Sequence, residues 1–166
     1  MTEFARSAGR LFDPGPVARW SLPAGLAGGL ALLAARLWLG WAFFSAGLTR
    51  VSNWGSQSFL FESIHPVPFL PPEVAAPVTT AAELLLPVAL ALGLLARPAA
   101  LGLAVMAATI YFVVGQTPQG LENGIALAEE QFPWIAVGLL LAAVGPGPLS
   151  LDALAKRRIE GRPLFG

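Results

Sequence analysis

Two ionised side chains, Arg36 and Glu83, stand inside long apolar stretches of this chain. An ion at the centre of a hydrocarbon layer costs about 2.5–3.5 kcal/mol on insertion scales, so each needs a partner or a purpose. Arg36 lies twelve residues past Ala24 and Glu83 fourteen before Arg97. At about 1.5 Å per residue those counts give depths of roughly 18 and 21 Å. The spacing predicts that the guanidinium and the carboxylate meet across antiparallel helices. Tyr111, thirteen residues past Pro98, and Glu130, fifteen before Gly145, count to roughly 20 and 22 Å. A phenol and a second carboxylate would then join the same polar layer. Pro87 adds a bare acceptor, because a proline inside a helix frees the carbonyl four residues earlier, that of Glu83. Arg50 and His65, on the outer side of the layer, complete the candidate ligand-binding set.

Such a layer would suit a quinone head group or a small acid. A plainer reading stands beside it: Arg36 and Glu83 form a buried pair that fixes helix register, Tyr111 only packs, and Glu129 and Glu130 are wet residues at the rim. Were Glu83, Glu129 and Glu130 all to reach the layer, they would outnumber Arg36, and one should hold a proton. No metal centre is expected, since the chain has no cysteine and His65 is its single histidine.

These residues need helices to position them. Of the 166 residues, 55% are apolar and 12% charged, with ten basic and ten acidic side chains and a mean hydropathy of +0.67. A soluble domain carries about 25% charged residues, so something other than water solvates much of this protein. The zero net charge excludes a basic nucleic-acid binder. Apolar segments at 24–48, 74–96, 98–116 and 125–144 read as four crossings of a lipid bilayer. The first is too long, and begins too late in the chain, for a cleaved signal peptide.

Arg6, Arg10 and Arg19 precede the first span, Arg97 separates the second and third, and Lys156, Arg157, Arg158 and Arg162 follow the fourth. The bias of Lys and Arg toward the cytoplasm then puts residues 1–22 and the tail 145–166 inside. Pro77, Pro98 and Pro133 are expected in first helical turns, while Gly145-Pro146-Gly147-Pro148 stops the fourth helix. Phe4, Ala8, Leu11 and Phe12 recur at helical spacing opposite Arg6 and Arg10. The N-terminus reads either as an amphipathic helix on the membrane or as a frayed tail.

Residues 51–72 form a long outer loop with Trp54, Phe59, Phe61, Phe69 and His65-Pro66-Val67-Pro68. It is too apolar for a solvated linker and too rich in proline to be helical throughout, and is expected to cap the outer mouth. The fold class is therefore all-α: a single integral membrane domain, a four-helix bundle with both termini cytoplasmic. On the first helix Arg36, Gly40, Phe43, Gly47 and Arg50 share one face; on the third, Ala100, Ala104, Ala107, Ala108, Tyr111 and Gly115 do so. Stripes of small residues are surfaces on which membrane helices pack.

The string Arg36-Leu37-Trp38-Leu39-Gly40, continued by Phe43 and Gly47-Leu48-Thr49-Arg50, resembles the first-helix signature of the DoxX family of small four-helix membrane proteins. Ala82-Glu83-Leu84 with Gly93-Leu94-Leu95-Ala96-Arg97 is similar to that family's second helix. Gly145-Pro146-Gly147-Pro148-Leu149-Ser150-Leu151-Asp152 is similar to its C-terminal ending. The resemblance implies a multi-pass protein of the bacterial inner membrane, linked to redox or sulfur metabolism. Members are similar to the DoxD subunit of thiosulfate:quinone oxidoreductase, or accompany membrane complexes that include a superoxide dismutase and a sulfurtransferase. The family's arginine and glutamate fall on Arg36 and Glu83. Arg50 stands where a lysine is commoner, and the outer loop is longer than in the shortest members.

Three functions follow as expectations. The first is a subunit not catalytic alone, which gives a redox partner access to quinone, because no side chain here carries electrons unaided. The second is a transporter component passing protons or a small acid by way of Glu83 and Glu130. The third is a scaffold whose outer loop holds a periplasmic partner. Self-association into a homo-oligomer is compatible with each.

Overall fold

The computed structural model describes residues 12–67, 69–125 and 131–160. The expected N-terminal amphipathic helix, Glu129 and Glu130 lie outside the described residues. Among those described, every regular element is helical. A 3-10 turn, Pro16–Arg19, leads into α1, Leu22–Ser52; then come α2, Pro72–Leu92; α3, Ala96–Phe112; α4, Gln131–Val144; and α5, Leu151–Glu160. Shorter turns at Val114–Gln116 and Pro118–Glu122 follow α3.

Three stretches are long and apolar enough to cross a membrane: Pro23–Ser52, Pro72–Leu92 and Ala96–Gln116, while Gln131–Val144 is a shorter apolar helix. Their outward faces are apolar too. Leu37, Trp41, Leu85, Val105 and Leu140 are all exposed, as lipid-facing positions are. The buried faces carry small residues. α1 packs on α2, α2 on α3, α3 on α4, and α4 back on α1. At the α1–α2 contact a Cβ on Gly40 would come within 3.3 Å of the Pro87 carbonyl oxygen, and one on Gly47 within 3.1 Å of the Glu83 Cβ. At the α3–α4 contact a Cβ on Gly138 would meet the Ala100 carbonyl at 3.0 Å. Backbones approach this closely only where side chains are absent or small. Both stripes read from the sequence thus face a partner, and Ala100, Ala104 and Ala107 are buried.

Several boundaries move. α2 begins at Pro72, so Pro77 is interior rather than in the first turn; Pro72 itself occupies that position. α2 ends at Leu92 because Gly93 adopts φ 68°, and the turn through Leu95 starts α3 at Ala96. Only Gly readily takes that left-handed conformation after a helix. The connection after α1 is more helical than expected: Trp54–Ser56, Gln57–Phe59 and Leu60–Ile64 form one run of 3-10, α and π turns. Phe61 is buried there against Ala75 and Ala76, whereas Trp54, Phe59 and Phe69 are exposed. This loop end and the opposite end, where residues 13–20 and 145–160 gather, hold separate polar networks.

Candidate functional site

Arg36 and Glu83 do not meet. Arg36 is 0% exposed, and its guanidinium donates to the carbonyls of Leu90 and Ala91 at 3.3 and 3.0 Å and to that of Leu149 at 2.5 Å. Those first two carbonyls belong to the last turn of α2, where C=O groups lack the usual intrahelical partner and a cation is favoured; that of Leu90 also accepts from the Gly93 N–H at 3.0 Å. The expected pairing failed through its register. The count treated Ala24 and Arg97 as level, but the left-handed turn at Gly93 ends α2 opposite the middle of α1. Glu83 lies seven residues before Leu90, about 10 Å further along the helix.

The carboxylate of Glu83 pairs instead with Arg50, one of the other candidates. Nε of Arg50 lies 2.7 Å from Oε2, with side chains 17% and 3% exposed respectively. The contact is ionic, since Oε2 takes no aligned hydrogen bond, and the Thr80 hydroxyl, one turn earlier on α2, is also buried without a partner. Arg50 is held further by Gln57, whose Oε1 accepts from Nη1 at 3.4 Å, and by the Phe61 ring, 4.9 Å from its guanidinium carbon. Gln57 in turn donates to the Asn53 carbonyl at 3.1 Å. The polar contacts of Arg50 run through Nε to Glu83 and through Nη1 to Gln57.

Two cavities flank this arginine. One, of about 200 Å³, lies between α2 and α3 with apolar walls that include Val78, Ala82, Met106 and Ile110. The other, of about 360 Å³, opens at the loop end beside Asn53, Ser56 and Gln57. Arg50 and His65 border both. Val78 and Val105, at the edge of the first, are 57% and 55% exposed on the faces of α2 and α3. That cavity therefore opens sideways, toward the surface lipid would cover. Burial and the neighbouring Arg50 charge both hold His65 below the usual 6.5, favouring its neutral form.

Tyr111 belongs to an aromatic cluster, with ring centroids 4.9 Å from Phe112 and 4.5 Å from Phe132. Glu130 lies outside the described residues. The structure thus brings together Glu83, Arg50 and His65, and gives Arg36 and Tyr111 other partners. Gln57 was missed. Its signal was its spacing, four after Asn53 and seven after Arg50, and it was hidden by reading the loop as largely non-helical.

The opposite end is a structural clamp. The Asp152 carboxylate accepts from Leu95 N–H at 2.8 Å and Ala96 N–H at 2.9 Å, capping α3 from a distant part of the chain. Burial nevertheless raises its pKa, outweighing those hydrogen bonds and the charges of Arg36 and Arg97. Arg97 donates to the terminal carbonyls of Ala142 and Ala143 on α4. Asp13 pairs with Lys156 at 2.6 Å and with Arg97 at 3.8 Å. Burial pushes the Asp13 pKa up, but Lys156 and the Gly15 N–H more than offset it, leaving it lowered. Among the described residues no cluster of His, Asp or Glu could hold a metal ion, and the sequence has no cysteine.

The family model described as DoxX matches residues 31–116. An uncharacterized protein of Haemophilus influenzae is 31% identical over 140 residues, which cover 80% of this chain and 88% of that relative. No solved structure matches the chain.

Proposed function

Because this chain belongs to the DoxX family of membrane proteins, we propose that it is a four-helix membrane subunit that binds a quinone head group beside Arg50 and supplies it to a redox partner. The carrying observation is the apolar cavity that opens between Val78 and Val105 and ends at Arg50 and His65. A quinone tail would remain in lipid while the ring entered between α2 and α3. Its carbonyl oxygen would accept from the Arg50 guanidinium, which borders that cavity. Glu83 positions the guanidinium from behind, and Phe61 limits its swing. The residues fit the group: apolar walls for the ring and one cationic donor for the oxygen. Bound quinone would supply the two-electron chemistry that these side chains lack.

The placement follows from charge. Arg97, Lys156, Arg157 and Arg158 gather at the clamped end, which the positive-inside bias puts in the cytoplasm. The loop end would then face the periplasm in a bacterial inner membrane, with α4 as the fourth, short crossing. The partner would approach from the periplasmic side, where the polar cavity opens.

The test is titration of the protein in lipid nanodiscs with a short-chain quinone. Arg50→Gln combined with Glu83→Gln removes both charges and leaves none stranded. Loss of a charge-assisted hydrogen bond worth about 1.5–3 kcal/mol should weaken binding about 10- to 100-fold. Arg36→Met should leave affinity unchanged. Unsaturable binding to the wild type, or equal affinity in the double variant, would refute the reading.

A further inference from the structure

At the clamped end, a groove of about 500 Å³ runs between the start of α1, the last residue of α2 and α5. Its walls include Trp20, Leu26, Leu92 and Leu154, with Arg157 at one side. All four of those apolar side chains are exposed. Leu26 and Leu92 lie on stretches apolar enough to span a membrane, so the groove continues the surface that lipid tails cover. α5 lies alongside. Leu151, Leu154 and Ile159 are exposed on it, as is Arg158, one turn after Leu154. Arg157 is engaged within the chain and still lines the groove. An exposed tryptophan, an apolar channel and adjacent arginines form the arrangement expected where tails meet headgroups.

We propose that this groove is a binding site for an anionic phospholipid of the leaflet at that end. One acyl chain lies along Leu26 and Leu92, and the phosphate rests against Arg157 and Arg158. Charge complementarity favours this occupant over a zwitterionic lipid. The exposed leucines favour it over a soluble anion, which would leave them uncovered. α5 is thereby fixed flat against the membrane, with its apolar face inward. The lipid also bridges α5 to α1 and α2, reinforcing the contact that Arg36 makes through Leu149. The site is separate from the Arg50 cavity and does not depend on what that cavity binds.

Native mass spectrometry of the full chain would count lipids retained when phosphatidylglycerol and phosphatidylcholine of matched chains compete. The wild type should prefer phosphatidylglycerol at one site, by about fivefold for each arginine that contributes. Arg157→Gln with Arg158→Gln should bring the preference close to unity. Leu154→Glu, at an exposed position, should do the same by placing an acid in the groove. Equal retention of the two lipids by the wild type would overturn the proposal. So would a preference that survives both variants, or inorganic phosphate displacing phosphatidylglycerol as effectively as a second anionic lipid does.

Discussion

Arg50→Met and Glu83→Gln break the same ion pair, yet their costs should differ. The Glu83 side chain is 3% exposed and that of Arg50 is 17% exposed. Removing Arg50 strands the deeper charge, and an unpaired buried charge costs about 3–5 kcal/mol. Removing the carboxylate leaves a guanidinium that still has Gln57 Oε1 at 3.4 Å and the Phe61 ring at 4.9 Å. With a cation–π contact worth about 0.5–2 kcal/mol retained, Glu83→Gln should cost only about 1–2 kcal/mol. The double variant buries no charge, so it should be more stable than Arg50→Met alone, giving a non-additivity of about 1.5–3 kcal/mol. Reversible unfolding by SDS in mixed micelles, followed by circular dichroism, measures all three. Equal costs for the single variants, or simple additivity in the double, would show that the pair is not the buried, asymmetric contact on which the site rests.

Arg36→Met should destabilise the chain by about 2–4 kcal/mol, because three backbone carbonyls lose a charged donor; the same unfolding assay reads this, and a loss below about 0.5 kcal/mol would discount the clamp. Gly93→Ala forces a side chain into φ 68°, against the Ser150 Cβ and 2.6 Å from Nη1 of Arg36. It should cost about 2–4 kcal/mol by the same measurement. His65 has a lowered pKa, so the stability tied to its neutral form is fully present above the usual 6.5 and is lost as pH falls through the folded-state value. Unfolding measured across that window should show the loss in the wild type and a smaller one in His65→Asn. Asp152→Ala removes a carboxylate that caps two N–H groups of the α2–α3 turn, and should cost about 1–2 kcal/mol. Protease sensitivity of residues 145–160 would report the same release.

Composition and periodicity alone determined that the protein is helical, that its long apolar segments need lipid, and which faces of α1 and α3 pack inward. These are local properties: an apolar run long enough to span, or glycine and alanine recurring on one side of a helix, means the same wherever the helix sits. That charged residues inside such runs need partners was legible for the same reason. Which charges pair was not. Pairing depends on the register between two helices, and a turn at Gly93 that ends α2 four residues short of the expected 96 slides the partner of Arg36 from a carboxylate to backbone carbonyls of the helix end. The packing of Gly47 on Glu83 then carries Arg50, nearly one turn further along α1, to the carboxylate. Gln57 and His65 join that site only because the chain after Asn53 coils back over it. Asp152 caps α3 only because the C-terminal segment folds beneath it. Such contacts join residues up to 143 positions apart. Only the tertiary structure decides them, because a shift of one helical turn, about 5.4 Å, is longer than any hydrogen bond.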